Sequence, residues 1–134
     1  MNIPDVMDEL GVALAAIAGL RVFPFNADKV NPPAAIVGWP DPLEYDQTMA
    51  RGMDRQTLPL YVVVGKLDAR ISRDALGKYL NGSGDHSVKV AVEAGTYTAC
   101  DTVRVTEATV NAYHVAGVEY LGAEFKIDVV GQGG

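Results

Sequence analysis

Leu58-Pro59-Leu60-Tyr61-Val62-Val63-Val64-Gly65, followed at once by Lys66-Leu67-Asp68-Ala69-Arg70-Ile71-Ser72-Arg73-Asp74-Ala75-Leu76, is the stretch that decides the fold. Its first part is β-branched, aromatic or aliphatic almost without polar interruption, whereas a half-solvated strand would alternate apolar with polar. It reads as a central strand buried on both faces. The second part changes period from about two to about four. Leu67, Ile71, Ala75, Leu76, Tyr79 and Leu80 fall on one side of a helix, and Arg70, Arg73, Asp74 and Lys78 on the other. A central strand hands over to an amphipathic helix that covers it.

On the N-terminal side, Asn2 can cap a helix whose first turn holds Pro4, tolerated there because its missing N–H has no intrahelical partner. Asp5, Asp8 and Glu9 suit the positive end of the helix dipole. Ile3, Val6, Met7, Leu10, Leu14 and Ile17 recur at three- and four-residue steps, and Gly19 supplies a stop, which predicts a helix over 3–18. Leu20 to Phe25 has strand composition, but Pro24 cannot donate to a ladder, so an edge strand is expected. Turn formers and two prolines follow, and then Ala34-Ala35-Ile36-Val37-Gly38 forms another short strand.

Residues 39–57 form a long connection, uncommon in a compact domain unless it has a task. They carry Trp39, Leu43, Tyr45, Met49 and Met53, the aromatic and Met types enriched in protein contacts. Leu43 and Tyr45 also alternate, as in a strand projecting from the body. Two readings stay open: these side chains fold back on the domain's own core, or they reach a neighbouring subunit.

On the C-terminal side, Asn81-Gly82-Ser83-Gly84-Asp85-His86 is a turn and Ser87 can cap a short helix through Val92 to Gly95. Leu121, Ala123, Phe125, Ile127 and Val129 alternate with Gly122, Glu124, Lys126 and Asp128, the period-two signature of a half-buried antiparallel strand. Its partner is Thr102 to Val115, with Gly117 in the turn. The class expected is α+β: a mainly antiparallel sheet with an N-terminal helix and two further helices packed on it, a long inter-strand loop and a C-terminal β-hairpin. The chain reads as one domain over residues 1–134, with 130–134 a flexible tail.

Composition limits the function. A formal net charge of −6 opposes any role that depends on grasping a phosphate backbone. No apolar run approaches the ~20 residues of a membrane span, and the N-terminus lacks the basic and apolar regions of a signal peptide, so a cytosolic start is expected. A single cysteine, Cys100, has no cation nearby in sequence and reads as a packing residue. His86 and His114 lack paired metal-ligand spacing. Gly82-Ser83-Gly84 lacks the Lys and Ser/Thr of a phosphate loop, and Asp41, Glu44 and Asp46 lack the glycine and terminal glutamate of an EF-hand. Asn81-Gly82-Ser83 is a glycosylation sequon in form only. These residues specify no catalytic centre, cofactor site or metal site, so the reading is of a protein that is not an enzyme.

Arg51-Gly52-Met53-Asp54, Thr57 to Lys66, Arg70, Ser72 to Leu76, Gly82-Ser83-Gly84 and Ser87-Val88-Lys89 give the chain a pattern that resembles the tail terminator proteins of long-tailed actinobacteriophages. The likeness continues through Cys100-Asp101, Arg104-Val105 and Val115 to Phe125, and so covers nearly the whole chain. These residues are a fold signature with no chemical motif among them. The resemblance implies a structural virion protein, made in the host cytoplasm. It would form a homo-oligomeric, hexameric ring that caps the tail tube, ends tail polymerisation and meets the neck or head-tail connector protein. DNA would pass the lumen without specific binding, which an acidic body favours. The candidate subunit interface is Trp39, Leu43, Tyr45, Met49, Arg51, Met53, Asp54 and Arg55, because a ring of head-to-tail contacts needs unlike patches that match. The competing readings are a head-to-tail neck completion or adaptor protein, and a small ligand-binding module.

Overall fold

The computed structural model describes residues 2–17, 19–23, 33–40, 53–66, 70–115 and 118–132. Within them run α1 (Ile3–Leu14), β1 (Arg21–Phe23), β2 (Ala34–Val37), β3 (Met53–Lys66), α2 (Arg70–Leu80), α3 (Val88–Glu93), β4 (Thr102–Val115) and β5 (Val118–Gln132). The strands form one sheet in the order β1-β2-β3-β5-β4. Only β1 and β2 are parallel, and the other neighbours are antiparallel. The class is therefore α+β, with an N-terminal helix, two further helices and a mostly antiparallel sheet.

Strand alternation separates the two faces. Leu58, Leu60 and Val62 of β3 point with Ala123, Phe125, Ile127 and Val129 of β5 towards the helices. There they meet Val6, Leu10 and Leu14 of α1, Leu76 and Tyr79 of α2, and Val88 and Val92 of α3. On the other face Ala34 and Ile36 form a smaller cluster with Phe23 and Tyr61. The Tyr61 ring also packs edge-on against Tyr113 of β4, with centroids 5.8 Å apart.

The helix signals read as expected. Asn2 Oδ1 accepts from Asp5 N at 3.2 Å, with Pro4 in the first turn. Ser87 Oγ accepts from Val90 N at 3.2 Å and donates to the Asn81 carbonyl at 2.5 Å. α1 closes earlier than the predicted residue 18, because its end tightens into i to i+3 bonds, Ala16 N to Ala13 O and Ile17 N to Leu14 O. Gly19, at φ 79°, then turns the chain into β1.

Three expectations are corrected. β3 begins at Met53 rather than near Leu58, because the polar run 53–57 is a strand paired with Gln132 to Asp128. For the same reason the chain from Val130 to Gln132 belongs to β5 and is no flexible tail. Ile71, placed above on the buried side of α2, is 83% exposed. Within α2, Ser72, Leu76 and Tyr79 form the buried side. Ser72 Oγ lies where a Cβ on Gly65 would stand, so residue 65 is held to glycine.

Candidate assembly surfaces

The eight residues of the expected interface divide into three sets. Trp39 follows β2 and leaves 57% of its surface in water. Leu43, Tyr45, Met49 and Arg51 lie outside the described residues. Met53 and Asp54 are the first residues of β3, opposite Gln132 and Gly131. Arg55 is committed within its own chain: Nε and Nη2 grip the Asp128 carboxylate at 3.0 and 2.8 Å. Asp128 is buried, so this fork neutralises a desolvated charge and ties β3 to β5. Arg55 therefore has a structural task whatever else it touches.

The structure also exposes bulky apolar side chains that sequence reasoning missed. Besides Ile71, Val12 of α1 is 75% exposed and Val110 of β4 is 52% exposed. Val110 lies between Ala108 and Ala112, both exposed, on the helix-side face of the sheet. α3 covers only the start of β4, where Glu93 accepts from Val105 N at 3.1 Å. From Thr106 to Ala112 every residue of β4 is exposed, and Ala108 to Tyr113 carries no charge. Edge strands are ordinarily guarded by charges, prolines or cover, so this length is suited to pairing. The signal was present in the alternation of β4, but the register that puts Val110 beyond α3 was not.

Two hollows flank α1. One, of about 470 Å³, lies between α1 and α3 and is floored by Val12, Ala13, Ala16, Val90 and Ala91. Two of its polar groups are already used: Ser87 is the cap of α3, and Glu9 accepts from Thr98 N and Ala99 N, both at 2.7 Å, and from Thr98 Oγ1 at 3.1 Å. The other, of about 370 Å³, lies on the β1 side and is lined by Asp8, Gly11, Val12, Ala15 and Val22.

Electrostatics here is structural. Partial desolvation pushes the Glu9 carboxyl up, but the hydrogen bonds from Thr98 and Ala99 outweigh it and hold the group below its ordinary value. Lys89, at 2.6 Å, together with Val105 N, likewise lowers Glu93. Burial, with the Glu9 and Asp101 charges, pushes the Cys100 thiol up to about 11, which suits an inert packing residue. Among the described residues no group of three or more His, Cys, Asp or Glu side chains could hold a metal ion. His114 pairs with Glu119 across the hairpin at 3.0 Å, and His86 packs against Tyr79. No described helix is long and apolar enough to cross a membrane.

Because a lowered carboxyl contributes stability above its unfolded value, the Glu9 contribution is present at neutral pH and fades as pH falls through the folded value. Glu9→Gln should cost about 1 kcal/mol at pH 7, discounted for exposure, and progressively less in acid. Urea midpoints of both proteins from pH 7 to pH 3 check this; a gap that does not narrow would mean the carboxylate charge is irrelevant. The chain matches no protein-family model and no curated protein sequence.

Proposed function

We propose that this chain is a structural virion protein that caps a phage tail tube as a ring, ends tail polymerisation and forms the joint to the neck. One observation carries the reading beyond the pattern of residues. Trp39 stands exposed on the β2 side of the sheet, while the uncharged length of β4 lies uncovered at the opposite edge. Two unlike surfaces on opposite flanks are what a head-to-tail contact requires, and such contacts form a ring when the rotation between copies closes. The formal net charge of −6 supports a lumen through which DNA slides without adhering.

The purified protein, run at several concentrations for native mass and imaged in negative stain, should give closed rings of uniform subunit number. It should also bind tail-tube protein in preference to portal-side proteins. Rings that bind only the portal side would assign it to the neck instead. A chain that stays monomeric alone and on tail tubes would overturn the ring.

A further inference from the structure

We infer that neighbouring copies join by seating Ile71 of α2 in the hollow between α1 and β1 of the next copy. The inference rests on the ring reading and adds a helix contact to the Trp39 and β4 flanks. Ile71 is the most exposed of the bulky apolar side chains described. Its helix also carries Arg70, Arg73 and Lys78, all exposed, and the single acid there, Asp74, is held by Arg73 at 3.2 Å. In an acidic chain α2 thus presents an apolar knob at the edge of its solvent face, with Lys78 two turns on along the same side and the intervening Asp74 engaged by Arg73.

The hollow offers the converse. Gly11 and Ala15 keep its floor low, Val12 and Val22 make it apolar, and Asp8 stands at its rim with Asp5 one turn away. Neither aspartate takes part in an ion pair among the described residues.

Spacing matches as well as chemistry. Asp8 precedes Ala15 by seven positions, and Lys78 follows Ile71 by seven. At 1.5 Å per residue both separations are about 10.5 Å. Antiparallel apposition of α2 on α1 therefore sets Ile71 over Ala15 and Lys78 beside Asp8 in one register. It also brings Lys78, in the last turn of α2, to the N-terminal half of α1, where Asp5 and Asp8 sit. Knob and hollow are different patches of one chain, so the occupant supplied by this geometry is a second copy in heterologous contact. Charge complementarity adds specificity and speed of encounter, while the seated isoleucine resists dissociation.

The test compares wild type with Ile71→Asp, Ala15→Arg, Asp8→Lys and Lys78→Glu, and with the Asp8→Lys/Lys78→Glu double variant. Assembly is read by native mass where the wild type forms rings, or on tail tubes if rings form only there. All four side chains are exposed, and circular dichroism with melting checks that each variant folds. Each single variant should weaken ring assembly by about tenfold or more. The charge-swapped double variant should recover most of that loss. Mixing Ile71→Asp with Ala15→Arg should give heterodimers and their multiples, since one intact knob and one intact hollow remain and the two substituted side chains carry opposite charge.

Single variants that assemble like the wild type would overturn this contact while leaving the ring reading intact. So would a charge swap that recovers nothing, or a mixture that gives no heterodimer. A variant that forms normal rings yet fails to bind tail tubes would assign the surface to the tube protein and overturn it equally. Failure of the wild type to form rings anywhere would overturn the ring reading itself.

Discussion

Gly122→Val should leave little folded protein at ambient temperature, and Gly122→Ala should cost about 2–3 kcal/mol. Gly122 sits in β5 opposite Val63 on one side and Asn111 on the other. A Cβ there would press into the carbonyl oxygen of Val62 and stand 2.9 Å from two carbons of the Tyr113 ring. The backbone oxygen cannot retreat without parting β3 from β5, and Tyr113 is braced by its contact with Tyr61. A glycine inside a strand marks such a close approach. Urea denaturation measures the loss through the midpoint at constant slope. A Gly122→Ala protein as stable as the wild type would mean that Tyr113 swings clear at no cost.

The second large effect falls on assembly. Replacing residues 41–52 with a short flexible linker should preserve the fold and abolish rings, read as a native mass fixed at the monomer. The cut has to stop at 52, because Met53 already pairs with Gln132. Val37 lies opposite Leu60, so Met53 is about 23 Å further along β3 at 3.3 Å per residue. Residues 38–40 span under half of that, and a Gly/Ser linker of about six residues covers the remainder. Rings that persist in this variant would remove 41–52 from the contact and leave the α2 knob to account for them.

The handover from β3 to α2 was legible because its two periods are so different, and the C-terminal hairpin because β5 alternates without a break. The beginning of β3 was not. Asp54, Arg55, Gln56 and Thr57 look like loop residues until the register shows Arg55 gripping Asp128 from the outer face and Gln56 buried on the helix side. A polar residue can be buried when tertiary structure supplies its partners, and sequence periodicity does not reveal the partner. Ile71 failed for a different reason. The apolar residues of α2 spread over a wide arc, and the sheet covers the part centred on Ser72, Leu76 and Tyr79, which leaves Ile71 beyond its edge. In the expected interface, Trp39 could be read from the sequence as core or as contact and only the fold shows it exposed, while Val12, Val110 and Ile71 look like ordinary core residues until the layers above them are known.

The strand order also governs how the protein can be made. β5 leaves the ribosome after every other described strand, yet it occupies an interior place in the sheet, paired with β3 along one side and β4 along the other. Glu9, among the first residues synthesised, finds its hydrogen-bond donors 89 and 90 positions later, at Thr98 and Ala99. During translation, then, β3 has β2 beside it but waits for β5, and β4 waits with it, so the long-range pairing is completed last. A nascent chain that terminates early lacks the strand that joins the two halves and presents no finished surface. A chain cut short before β5 thus cannot complete the sheet, whatever its earlier strands have formed.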